Sequence, residues 1–171
     1  MEPFIIGAVV IVLLVGLPIV ARVVKRKGVA KAVNAGQETL KRQAPELQDV
    51  LGTGLAVPGS PEEARAHVEA FMQLKPRSRR TEADGSWSVK IVAPDDLVLE
   101  LVTSPEHGSV LWPRSVRVDA NGLLSYANTW YIFSDDLQRA LRKQGVETAR
   151  VTGRTFELDM SAAPAVWRAV A

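Results

Sequence analysis

His67 and His107 are the two imidazoles of a 171-residue chain that has no cysteine. A thiol nucleophile and a Cys-based zinc site are therefore excluded. The residues left for acyl-transfer chemistry lie in Ser104-Pro-Glu-His-Gly-Ser109. A Ser-His-acid relay needs serine, imidazole and carboxylate pointing at one another. Ser109, His107 and Glu106 are too close along the chain to do this readily, and no G-x-S-x-G turn presents the serine. Neither histidine has the i,i+4 partner of a helical metal site.

The paired acids Glu62-Glu63, Asp95-Asp96 and Asp135-Asp136 have the composition of general acid/base pairs. Each falls at an expected helix start or turn, where the helix dipole or turn chemistry accounts for it. No Walker-type or kinase-type loop is present, and Gly52-Thr-Gly54 follows no predicted strand, so nucleotide binding is not expected. No catalytic residue, cofactor or metal ligand is expected, and the chain does not read as an enzyme.

Two clusters remain. Lys75, Arg77, Arg79 and Arg80 could touch phosphate, but no aromatic residue interleaves with them. They read as a solvated loop, and no nucleic-acid partner is expected. The tryptophans Trp87, Trp112, Trp130 and Trp167, with Tyr126, Tyr131, Phe133 and Phe156, could line a pocket or an interface. Most read as core. Trp112-Pro113-Arg114 is the exception: Pro113 predicts an edge or a bulge, so Trp112 and Arg114 are the candidate interface residues.

The elements that must hold these residues begin with an uncharged apolar run, Phe4 to Ala21. At about 1.5 Å per residue it nearly crosses a hydrocarbon core of roughly 30 Å. Met1-Glu2-Pro3 carries no cation, and a cut after Ala21 would lead straight into Arg22-Val-Val-Lys25, so a retained anchor is predicted rather than a signal peptide. Arg22, Lys25, Arg26, Lys27 and Lys31 follow the run, whereas Glu2 alone precedes it. The positive-inside rule then predicts the plasma membrane, N-terminus outside and C-terminal domain cytoplasmic. The lipid bilayer is the first expected partner, with anionic headgroups beside the basic flank. Arginine outnumbers lysine two to one, as in GC-rich bacterial coding.

Gly28, Gly36 and Pro45 thin an apolar stripe from Val29 to Leu51, which reads as a helix to about Gln43 and a short one over 45–51. Leu51 to Ser60 reads as a Gly/Pro linker. Ser60-Pro61-Glu62-Glu63 is a capping box opening a helix with Ala64, Val68, Phe71 and Met72 on one face. Alternation predicts a hairpin of Trp87–Ile91 with Leu97–Leu101, a strand over 111–119 and a long central strand over 123–133. Ser134 is expected to cap a helix through Lys143 that stops at Gly145. One or two strands over 147–159 and a last short helix capped by Ser161 complete the reading.

The predicted fold is α+β: a single transmembrane helix, then a mainly antiparallel sheet of four to six strands packed by helices. Its parts are an anchor over 1–24, a basic juxtamembrane stalk and linker over 25–59, and a soluble domain over 60–171. The expected function is a protein-interaction or accessory module that binds another protein. The alternatives are a membrane-tethered small-ligand sensor or carrier and, third, an enzyme with an unrecognised site.

Overall fold

The computed structural model of the protein describes residues 45–75, 79–118, 125–162 and 165–170, apart from the side chains of 125–127. The predicted anchor and its basic flank lie outside these residues, as does the helix expected to run to Gln43. No helix among the described residues is long and apolar enough to cross a membrane.

Residues 45–51 are helical (α1), and Leu47 and Leu51 on this helix are buried. The chain then turns at Gly52 into strand β1, Thr53–Val57. This corrects the linker reading of Leu51 to Ser60. Gly54, which the sequence places in that linker, lies inside the strand. Its missing side chain instead makes room for an indole, since a Cβ there would lie 2.7 Å from Trp112.

Helix α2, Pro61–Gln73, starts as the sequence predicts. The Ser60 hydroxyl accepts from Glu63 N at 3.2 Å, and the Glu63 carboxylate accepts from Ser60 N at 2.8 Å. Two otherwise orphaned amides are thereby satisfied. Ala64, Val68, Phe71 and Met72 are its buried face.

The strands β2 (Arg79–Thr81), β3 (Trp87–Val89), β4 (Leu97–Ser104) and β5 (Gly108–Arg117) form an antiparallel meander. The predicted hairpin is β3–β4. Arg79 and Arg80, expected in a loop, are edge-strand residues. Helix α3, Ser125–Lys143, follows. The remaining strands are β6 (Ala149–Thr152), β7 (Phe156–Asp159) and β8 (Val166–Ala169).

Among the described residues all eight strands belong to one sheet, more than the four to six expected, and every pairing is antiparallel. The surplus arises because β5 is long and carries two short strands end to end. Its first half pairs with β1 through Ser109 to Leu111, and its second half with β8 through Ser115 to Arg117. Beyond them β6 pairs with β1, and β7 with β8. Pro113 falls between the two sets of partners, where a residue without an N–H is tolerated. The register with β4 also shifts here, from Val98↔Ser115 to Leu99↔Pro113, so Arg114 is the extra residue of a bulge.

Of the long central strand predicted over 123–133, the described residues 125–133 are the first half of α3. Trp130, Phe133, Leu137 and Leu141 are buried at helical spacing, while Tyr131 and Ile132 face outward. An apolar stretch with residues on both faces fits either period, and the pull of the sheet's apolar face decides it. Ser134 is therefore no cap. It is buried inside the helix, donating to Tyr131 O at 3.0 Å and accepting from Arg150 Nη1 at 3.0 Å. The expected last helix is β8, in which Trp167 alone is buried.

One sheet face carries Leu55, Leu97, Leu99, Leu111 and Trp87, all fully buried. Helices α2 and α3 cover it. Phe71 and Phe133 meet edge to face at 5.3 Å, and Trp130 Nε1 donates to Thr53 O at 2.8 Å.

Candidate interaction surface

The opposite face of the sheet holds the residues singled out as an interface. Trp112 stands directly across from Glu100 in the β4–β5 ladder. Its indole lies over Gly54 of β1 and is half-buried. The Arg154 guanidinium, from the turn between β6 and β7, sits 5.9 Å from the ring centroid and donates through Nη2 to Glu100. Arg154 Nη1 is buried without a hydrogen-bond partner. Ala56, Val98, Val102 and Val151 share this face by register and are half-buried or exposed.

Arg114 reaches the same cluster because of the bulge. It donates to Asp84 at 2.6 Å and lies 4.0 Å from Glu100. Asp84 is held well below the usual carboxylate range, first by the hydroxyl and amide of Ser86 and then by Arg114. The Arg114 guanidinium is in turn pushed up by Asp84. Alternating charges, Asp84–Arg114–Glu100–Arg154, thus border one aromatic plate. Of the two alternatives expected at Pro113, an edge or a bulge, the bulge is found, and Trp112 is not at a sheet edge because β4 flanks β5 on one side and β1 and β8 on the other.

The other candidates are dispersed. His107 is exposed in the β4–β5 turn, 3.8 Å from Glu106, whereas Ser109 is buried with its Oγ unpartnered. The two are therefore not joined in a relay. His67 lines a shallow groove with Glu63 and Glu147. No cluster of three or more metal-ligating side chains occurs among the described residues. Asp135 and Asp136 both pair with Arg139, at 2.8 and 2.9 Å. Trp87, Trp130, Trp167, Phe133 and Phe156 are core, as the sequence predicts.

Sequence reasoning missed Glu100, Arg154 and Gly54. Their separation in the chain left no local signal. The Gly54 position was visible, but its meaning required knowing that a tryptophan lies across it. No family model, curated protein or solved structure matches this chain.

Proposed function

We propose that the chain is a single-pass plasma-membrane protein, N-terminus outside, whose cytoplasmic α+β domain is a protein-interaction or accessory module. The observation that carries the interaction reading is the half-buried Trp112 plate bordered by Arg114, Glu100 and Arg154. An accessible aromatic ringed by charged groups is the composition of an interface hot spot. The uncharged Phe4 to Ala21 run and the cations after it support the membrane placement.

The alternative, a small-ligand sensor, needs a cavity beside Trp130. That indole is fully buried, with its N–H bonded to Thr53 and its ring stacked on Phe133 at 6.3 Å. The geometry therefore favours the protein partner.

The test is native co-purification from mild detergent, comparing the wild type with Trp112→Ala. The partner is expected to be lost while the unfolding midpoint falls only slightly. A partner retained by Trp112→Ala at wild-type yield refutes the assignment of this surface. Alkaline phosphatase fused after Ala171 should be inactive, and strong activity there would overturn the topology.

A further inference from the structure

A different region, at one end of the sheet, combines exposed apolar side chains with cations. Val89 pairs with Arg79 on one side and Leu97 on the other, so β2 begins at the end where the loop 90–96 leaves the sheet. Leu97 pairs with Val116, and Arg117 faces Val166, which faces Asp159, so the β7–β8 turn leaves at that end too. Val92 is 73% exposed, Met160 44% and Ile91 39%, and all three lie in these connections, while Leu74, 69% exposed, is the C-cap of α2.

The tip of the 90–96 loop is held out rather than collapsed. One oxygen of the buried Asp96 carboxylate accepts from the amides of Ile91, Val92 and Ala93 at 3.2, 2.7 and 2.7 Å. Lys90 beside the tip is exposed. A groove of about 440 Å³ between α2 and α3 reaches β2 at Arg79, the partner of Val89, and is lined by Leu74, Lys75, Arg79 and Lys143 among others, with Asp136 facing Arg139. The Arg79 guanidinium lies 4.4 Å from the Phe71 ring and 5.0 Å from that of Phe133, and burial lowers its pKa. Two acids at this end are matched, Asp95 by Arg80 at 3.4 Å and Asp159 by Arg168 at 3.1 Å.

We infer that this end of the domain docks on an anionic lipid bilayer, with Ile91 and Val92 dipping among the headgroups and Lys90 meeting phosphate. Apolar tips flanked by cations are what an interfacial site requires, and each cation near an anionic surface raises occupancy about fivefold. The inference rests on the anchor reading, which puts a bilayer within reach.

Because the chain has no cysteine, Val92→Cys gives one site for an environment-sensitive fluorophore. The full chain is reconstituted into phosphatidylcholine bilayers with and without phosphatidylglycerol. A blue shift and quenching by spin-labelled lipid are expected with phosphatidylglycerol, weakened by salt. In that background Lys90→Glu should lower the docked fraction about fivefold or more. A label at Val102→Cys, near the opposite end of β4, should stay water-like. A Val92 label that stays water-like in both bilayers overturns the docking surface, as does an equal shift in both. A shift in detergent micelles that rises with protein concentration also overturns it, in favour of a second copy. An alkaline wash separates the two readings: a chain stripped by it while still responding to phosphatidylglycerol refutes the anchor and upholds the surface.

Discussion

Replacing Asp96 with alanine is expected to destabilise the domain by about 2–4 kcal/mol. The carboxylate is 1% exposed, and its Oδ2 collects three backbone amides, with Arg117 at 3.7 Å from Oδ1. A hydrogen bond to a charged group contributes roughly 1.5–3 kcal/mol. The three do not add fully, because they share one oxygen. Asp96→Asn keeps a neutral acceptor oxygen and should cost about 1–2 kcal/mol. Urea unfolding of the detergent-solubilised chain, followed by the emission of the buried Trp87, Trp130 and Trp167, measures both. A loss under about 1 kcal/mol for Asp96→Ala, or an equal loss for the two variants, would refute the claim that this carboxylate organises the loop. The same variant should speed amide exchange at Ile91, Val92 and Ala93 before it does so elsewhere.

Gly54→Ala should cost about 1–3 kcal/mol, because its Cβ would sit 2.7–2.8 Å from the Trp112 indole. In a Trp112→Ala background the same change should cost under about 0.5 kcal/mol, and additive effects in this double-mutant cycle would exclude the stacking. Asp159 is depressed to about 2 by the Ser161 hydroxyl, the Arg168 guanidinium and the Ser161 amide. Its folded value lies below the ordinary 3.8, so its stabilisation is complete above that value and is lost as pH falls towards about 2. Asp159→Asn should flatten the fall of Tm over that interval, and parallel curves for variant and wild type would rule the linkage out.

Short-range chemistry was legible in the residues. The capping box at Ser60 is complete within four positions, and the Gly145 stop needs only its own positive φ of 79°. The β3–β4 hairpin was equally readable, since alternation and an Asp-rich turn lie in one stretch. Trp112 and Arg114 were found through Pro113, although the physical reason proved to be a bulge in an interior strand rather than an edge. What failed were segments whose identity is decided by distant partners. Residues 125–133 alternate well enough for a strand, but they bury Trp130 and Phe133 together with Leu137 and Leu141 only as a helix. The strands β1 and β8 are too short to show a period. They exist because β5 offers each of them half its length.

By itself the sequence determined an uncharged run with cations on one side, the absence of thiol chemistry and the start of α2. Each depends on composition or on contacts within a few residues. The tertiary structure alone decided that Glu100, Arg154 and Gly54 converge on Trp112, and that Ile91, Val92 and Met160 share one end of the sheet. Those groupings follow from strand register, which brings together residues separated by tens of positions and leaves no trace in local periodicity.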